Sequence, residues 1–202
     1  MGMKCSCGSV ICAVVVMLVA TPPARADDVA LAIQPLIGAS TAISSTGAIA
    51  NAPDGTPVAA TVASGVFPAF RAGGETSSVA VYLDFAYTSA TFAFEGESIG
   101  TSVFSLGIDV EPSFWWSADN RVQMYGLIGP LVSIARQPSS TGGTTTKGGG
   151  ATLGMGGKYF VHPAFAVGFE VGLKMVFLGS DFGTAHAGSV YAAVTGTFST
   201  RK

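Results

Sequence analysis

The sequence has few cysteines and few charged residues. All three cysteines, Cys5, Cys7 and Cys12, lie near the N-terminus, so the rest of the chain can form neither a disulfide nor a thiolate metal site. Charged side chains make up 11% of the residues, whereas soluble domains average about 25%. There is no basic stripe, and we therefore expect no nucleic-acid partner.

Long apolar runs are also absent beyond the N-terminus. The mean hydropathy is +0.51, yet the uncharged stretch at residues 29–53 is interrupted by Pro35, Gly38 and Gly47. A chain with little charge and no spanning helix can bury its apolar side chains in a core, or it can present them to lipid from a β-sheet. The pattern along the chain decides between these two possibilities.

The N-terminal segment has the three zones of a secretory signal. Lys4 supplies a positive charge, residues 10–20 are apolar, and residues 24–26 have the small-x-small pattern that signal peptidase accepts. The apolar run is shorter than the roughly 20 residues that a transmembrane helix needs. We predict that residues 1–26 are a cleaved signal peptide and that residues 27–202 form one exported domain.

The clearest strand lies at residues 165–177. Its odd positions are all large and apolar, and its even positions are small or charged with one exception. This period of two indicates a β-strand with one apolar face. At about 3.3 Å per residue and a tilt near 45°, the segment spans about 28 Å along the membrane normal. It is therefore long enough to cross a bilayer.

Weaker alternation of the same kind recurs along the mature chain and brings the number of predicted strands to eight. Pro35 counts against the first of them, and Gly126, Gly129 and Pro130 make the phase of the fifth ambiguous. The predicted segments are 29–37, 58–70, 79–88, 104–116, 121–137, 153–161, 165–177 and 190–198.

The connections alternate in length, as they do in transmembrane barrels with short periplasmic turns. Short turns are predicted at 73–76, 117–120 and 162–163, and longer loops at 40–56, 95–101, 137–150 and 179–187. A soluble β-sandwich is the alternative, but it needs polar outer faces, and the second faces here are mostly Gly, Ala, Ser and Thr. Aromatic residues expected at the periplasmic ends of the lipid-facing rows are Phe114, Trp116, Tyr159, Phe165 and Phe198. The fold predicted is an all-β, eight-stranded antiparallel up-and-down transmembrane barrel in a Gram-negative outer membrane.

Residues 154–173 combine a Gly-rich strand, a Tyr-Phe-x-His-Pro turn and an Ala-x-Gly-x-Glu-x-Gly strand. This segment resembles the penultimate hairpin of the small barrels of the OmpA/OmpX-like group. The resemblance implies eight strands with both termini in the periplasm, and outer-membrane lipid and the assembly machinery as partners. Barrels of this group often end on an aromatic residue that the machinery recognises, whereas Phe198 is followed by residues 199–202. We expect no peptidoglycan-binding domain after the barrel.

Several charged side chains fall on the predicted inner face. The interior of an eight-stranded barrel is just wide enough for side chains to fill, and charges buried there have to be paired. Glu170 and Lys174 lie about 13 Å apart along one strand, so each is expected to find a partner on another strand. We predict a structural ion-pair network, with a narrow channel as the alternative, from Asp84, Asp109, Glu111, Arg121, Lys158, Glu170 and Lys174.

One segment raises a catalytic alternative. Ser180, Asp181 and His186 lie close together in a predicted outer loop, and histidine is the usual base for a serine nucleophile. This combination favours a lipid-A-modifying enzyme as a second hypothesis. Because proximity in sequence is not geometry, we predict a structural or surface-interaction role without catalytic residues, cofactor or metal. The sequence identifies no surface partner.

Overall fold

The computed structural model describes residues 29–46, 48–51, 57–59, 65–94, 97–137, 144–180 and 183–200. The predicted signal peptide, residues 1–26, lies outside the described residues, as do all three cysteines. Within the described part, no helix is long and apolar enough to cross a membrane.

Ten strands account for most of the described residues. Eight of them close into an antiparallel barrel in which sequence neighbours pair and β1 closes on β10, while β2 and β3 pair with each other in a separate two-stranded sheet. The predicted eight-stranded up-and-down barrel is confirmed. The strands are β1 (Ala30–Thr46), β2 (Ala48–Asn51), β3 (Pro57–Ala59), β4 (Gly65–Glu75), β5 (Val79–Phe94), β6 (Glu97–Trp116), β7 (Val122–Gln137), β8 (Thr144–His162), β9 (Phe165–Ser180) and β10 (Gly183–Ser199).

Alternation along each strand separates the outer surface from the lumen. On β9, Phe169 is 55% exposed, whereas its neighbour Glu170 is 0% exposed. The buried set lines the lumen, because eight strands enclose only enough space for side chains. The outer surface is an apolar belt to which every barrel strand contributes, with exposed residues such as Leu31, Val66, Val81, Ile108, Val132, Met155, Phe169 and Val194.

The two ends of the barrel differ. Short connections at 76–78, 117–121 and 163–164 lie at one end, here called the turn end, together with Val29 and Thr200. At the opposite end, the loop end, β5 and β6 pair as far as Phe94 and Glu97. β5 and β6, with 16 and 20 residues, are therefore longer than the roughly 9–11 residues that a spanning strand needs.

Several predicted boundaries are wrong. The long loops predicted at 95–101 and 179–187 are mostly strand, since β9 and β10 pair as far as Ser180 and Gly183. The physical reason is that a ladder uses backbone groups, which the Ser, Thr and Gly of these segments supply as well as other residues do. The strand predicted at 58–70 begins at Gly65 and runs to Glu75, and this moves the turn predicted at 73–76 to 76–78.

A β-bulge between Ser113 and Trp115 changes the phase at the end of β6. Trp115 faces outward and is 50% exposed. Trp116 instead stacks on Phe160 at 5.5 Å between ring centroids, and its indole N–H donates to the Ser77 carbonyl at 2.9 Å. The prediction that Trp116 faces lipid is wrong, because a bulge places two residues opposite one and re-aims the side chain that follows. The exposed aromatic residues at the turn end are Phe114, Trp115, Tyr159 and Phe198.

The turn before β7 is closed by its own side chains. Ser117 Oγ donates to Asp119 Oδ1 at 2.5 Å, and the backbone N–H of Arg121 donates to the same carboxylate oxygen at 3.2 Å. These two bonds hold the pKa of the exposed Asp119 carboxyl below its usual range. Asn120 takes a left-handed conformation with φ of 57°, which asparagine tolerates better than most residues.

The phase of β7, ambiguous in the sequence, places its odd-numbered residues, including Tyr125 and Leu127, in the lumen. Tyr125 and Leu127 are 0% and 2% exposed, and Pro130 faces outward. The ladder with β8 is continuous through this region. A Cβ atom on Gly129 would overlap the backbone carbonyl oxygen of Ile108, so only glycine allows β7 to approach β6 this closely.

β4 and β5 separate towards the loop end. They pair from Glu75 opposite Ala80 to Ala69 opposite Ala86, and no further pair forms between their described residues. β4 nevertheless continues along β1 as far as Gly65. Pro68, the next residue of β4 beyond the last pair, has no N–H to donate to a ladder. The β4–β5 ladder therefore ends at this point, while the barrel itself remains closed.

Candidate functional site

A buried arginine that the sequence analysis missed lies at the centre of the lumen. Arg71 on β4 is 3% exposed, and its guanidinium contacts carboxylates from three other strands. Nη1 and Nη2 lie 2.7 Å and 2.9 Å from the two carboxylate oxygens of Glu170. Nη1 also lies 3.2 Å from Glu111 Oε1, and Nε lies 3.2 Å from Asp84 Oδ1. One cation therefore neutralises charge on β5, β6 and β9.

A fourth carboxylate approaches Arg71 without hydrogen-bond alignment. Asp109 Oδ2 lies 2.9 Å from Arg71 Nε, but the single hydrogen of that nitrogen is donated to Asp84, and Oδ2 has no hydrogen-bond partner among the described residues. The attraction of Asp109 to Arg71 is therefore one of charge alone. Asp109 is 2% exposed, so it depends on that nearby cation.

A second cation lies nearer the turn end. Lys158 Nζ is 2.6 Å from Glu111 Oε2 and lies over the Tyr125 and Tyr82 rings, 4.8 Å and 5.3 Å from their centroids. Glu111 thus lies between two cations, with one oxygen directed to Arg71 and the other to Lys158. The shared carboxylate joins both ion pairs into one network.

Neutral polar groups complete the hydrogen bonding of Glu170 and Arg71. Tyr191 donates its hydroxyl to Glu170 Oε1 at 2.6 Å, and Tyr125 donates to Oε2 at 3.3 Å. Gln34 accepts from Arg71 Nη1 at 3.1 Å. Both oxygens of Glu170 therefore accept two bonds each, which compensates the cost of removing this carboxylate from water.

Five of the seven charged residues predicted from sequence for the interior network take part in it. Asp84, Asp109, Glu111, Lys158 and Glu170 are buried in the lumen and meet around Arg71. Each of their strands was predicted with the correct inner face.

The two remaining predictions need correction. Arg121 is exposed in the 117–121 turn and takes no part in the lumen, because β7 begins only at Val122, after the turn that Ser117 and Asp119 close. Lys174 faces the lumen on the loop-end side, where its Nζ lies 5.9 Å from the Phe67 ring centroid. It forms no ion pair with a described carboxylate, so the expected close partner is not found.

The phase of β4 was the signal that could have identified Arg71. Val66 and Phe70 on this strand are exposed, at 64% and 42%. Strict alternation from them puts residues 67, 69, 71, 73 and 75 inside. The turn predicted at 73–76 shortened the strand and concealed this phase.

An apolar layer fills the lumen on the loop-end side of the ion pairs. Phe67 and Tyr191 meet edge to face at 5.8 Å between ring centroids, and Leu36 and Leu127 pack in the same cluster. Between this layer and Arg71 lies a cavity of about 10 Å³, which is about the space of one water molecule.

The positions of the described residues do not support the catalytic hypothesis. His186 belongs to β10, where its backbone lies opposite Phe177 of β9 and Thr46 of β1, so its predicted position in a loop is wrong. Asp181 lies outside the described residues. Among the residues the structure covers, no group of His, Cys, Asp or Glu is arranged to hold a metal ion.

No protein-family model matches the sequence, and neither does any curated protein. The fold, in contrast, matches solved outer-membrane proteins. Neisserial surface protein A is 14% identical, with 84% of this chain and 97% of that chain covered and a TM-score of 0.60. The outer membrane protein OprG from Pseudomonas aeruginosa is 9% identical, with 87% and 98% covered and a TM-score of 0.60. The chain has the fold of the small eight-stranded outer-membrane β-barrels.

Proposed function

We propose that this protein is an integral barrel of the outer membrane with a structural or surface-interaction role and without catalytic activity. The observation that carries the proposal is the contrast between the two faces of the wall. The outer face is an apolar belt, and on the inner face four buried carboxylates, Asp84, Asp109, Glu111 and Glu170, surround Arg71. Such a wall suits lipid outside and a filled lumen inside.

The interior network supports a structural role through the strands that it joins. Arg71 of β4 connects to β5, β6 and β9, and Lys158 of β8 connects to β6 through Glu111. Removing one partner from a buried pair costs about 3–5 kcal/mol, because the other charge is left uncompensated. The network thus holds five of the eight barrel strands in one arrangement.

The loop end supports a surface-interaction role. β6 and β8 contain 20 and 19 residues, whereas a spanning strand needs about 9–11. With the short turns in the periplasm, the additional length projects outward from the cell. Extended hairpins on a fixed barrel present a surface to partners outside the cell.

A channel is the alternative that a charged lumen raises. The apolar layer of Leu36, Phe67, Leu127 and Tyr191, with a cavity of about one water beneath it, argues against steady conduction. We therefore propose a lumen that is closed in the resting protein.

Membrane fractionation combined with a heat-modifiability gel tests the proposal. A barrel in the outer membrane is recovered with the outer-membrane fraction, and its unheated band migrates differently from its heated band in SDS. Arg71→Met, which breaks the interior network, is expected to lose the shifted band at a lower temperature than the wild type. Recovery in the soluble fraction, or identical migration before and after heating, would contradict the proposal.

A further inference from the structure

Very few of the described outward-facing side chains of the barrel wall carry a charge. Among the strand residues whose side chains are described, the outward-facing charged ones are Arg136 on β7 and Lys147 on β8, both exposed. Ile134 lies opposite Lys147, and Arg136 lies opposite Thr145. Arg136 and Lys147 are therefore diagonal neighbours on one face, with Cα atoms about 7–8 Å apart. Neither forms an ion pair with a described carboxylate.

The height of these cations matches a lipid headgroup. Val122 and Tyr159 lie opposite each other at the turn end. At about 3.4 Å per residue and a tilt of about 40°, Arg136 and Lys147 lie roughly 30–35 Å further along the normal. The apolar band of such barrels is about 25 Å tall. Both cations therefore lie just beyond the hydrocarbon, on the loop-end side.

An apolar groove of about 520 Å³ lies below them on the same outer surface. It forms where β4 and β5 stop pairing, so Ala69 and Ala86 of the inner face reach it together with Phe104. Ile134 also lines the groove, and it is the residue opposite Lys147 and two positions before Arg136 on β7. The groove and the pair of cations are therefore continuous.

Hydroxyl groups border the site on the β6 side. Ser102 lies opposite Arg136, and its Oγ is 3.2 Å from the hydroxyl of Tyr87, another residue of the groove lining. The site thus has an apolar part at membrane depth, followed by hydroxyls and two cations at headgroup depth. A lipid whose acyl chain is followed by a phosphorylated sugar presents matching groups in the same order.

We propose that the groove and the two cations form a binding site for a phosphorylated glycolipid of the lipid A class. An acyl chain occupies the groove, and a phosphate is held by the fork of the Arg136 guanidinium and the charge of Lys147. The site lies on the outward side of the bilayer, where glycolipid is the main lipid of a Gram-negative outer membrane. This inference rests on the proposed function, since it requires the loop end to face out of the cell.

Native mass spectrometry of the folded protein in detergent, titrated with bisphosphorylated lipid A, tests the inference. The wild type is expected to retain one lipid A, and Arg136→Gln combined with Lys147→Gln is expected to weaken retention about ten-fold or more. Val132→Trp, which fills the groove from an exposed position, is expected to weaken it as well. Arg121→Gln removes an exposed cation at the opposite end and should leave retention unchanged.

Parallel titrations with other lipids identify which class of lipid supplies the phosphate. Lipid A stripped of its phosphates should bind the wild type no better than it binds the double variant. Phosphatidylglycerol retained as strongly as lipid A, with the same dependence on Arg136 and Lys147, would overturn the assignment to glycolipid. Equal retention of lipid A by the wild type and the double variant would overturn the site itself. Heat-modifiability of each variant is measured in parallel, so loss of the barrel, which bears on the proposed function, is distinguished from loss of the site.

Discussion

Arg71 and Glu170 form a bidentate pair across the lumen, with Nη1 2.7 Å from Oε2 and Nη2 2.9 Å from Oε1. Their strands, β4 and β9, are not neighbours in the barrel, because β1 and β10 lie between them. The pair therefore joins two parts of the wall that the backbone ladder connects only indirectly. The ladder sets the order of the strands, and this side-chain pair ties distant strands to each other.

Arg71→Met is expected to lower the free energy of unfolding by about 3–5 kcal/mol, because it leaves several buried carboxylates without their cation. Urea titration of protein refolded into lipid vesicles measures this change. Adding Glu170→Gln to Arg71→Met should recover part of the loss, since the two residues are directly coupled. Arg121→Met, at an exposed turn position, is the matched control and should stay within about 0.5 kcal/mol of the wild type. Equal effects of the Arg71 and Arg121 substitutions would show that the network is not structural.

Val171→Arg is expected to destabilise the membrane-inserted barrel by about 2–4 kcal/mol, since Val171 faces lipid midway along β9. Val161→Arg places the same charge on an outward position of β8 next to the turn end, where the cost should fall to about 0–1 kcal/mol. Folding titrations in vesicles compare the two variants directly. A cost at Val161 as large as that at Val171 would mean that the lipid-facing belt is positioned incorrectly.

The wild-type barrel is expected to show no steady conductance in planar bilayers, and Phe67→Ala is expected to produce conducting events. Phe67 packs against Tyr191 in the apolar layer, and removing its ring leaves space beside the ion pairs for water and ions.

Lys174→Met should change the stability by less than about 1 kcal/mol, because Lys174 has no described ion-pair partner. Steady wild-type conductance that Lys174→Met alters at unchanged stability would favour a channel instead.

Cleavage before Asp27 is expected on export, because residues 24–26 have the small-x-small pattern after a short apolar run. N-terminal sequencing of the protein extracted from the outer membrane reads the cleavage site directly. Replacing Ala26 by a bulky residue should block processing and leave a larger precursor. An intact Met1 on the wild-type protein at the membrane would rule out the cleaved signal.

The sequence by itself determined the inner and outer faces of the regularly alternating strands, such as β9, but not those of β7. The large apolar residues Phe169 and Val171 lie outside while Glu170 lies inside, because alternation is a local property of extended backbone. The same rule placed Asp84, Asp109, Glu111 and Lys158 in the lumen. It failed where a local feature changed the phase, as at the Trp116 bulge.

Only the tertiary structure decided which inward residues meet. Arg71 and Glu170 are separated by 99 residues in sequence, and Lys174, on the same strand as Glu170, reaches no described carboxylate. A Cβ atom on Gly172, a position that looks merely small in the sequence, would lie 2.8 Å from the hydroxyl of Tyr191. The early end of the β4–β5 ladder and the groove beneath Arg136 are likewise invisible in the sequence. Partners across a lumen depend on the stagger of all eight strands around the closed barrel, and no local pattern encodes that stagger.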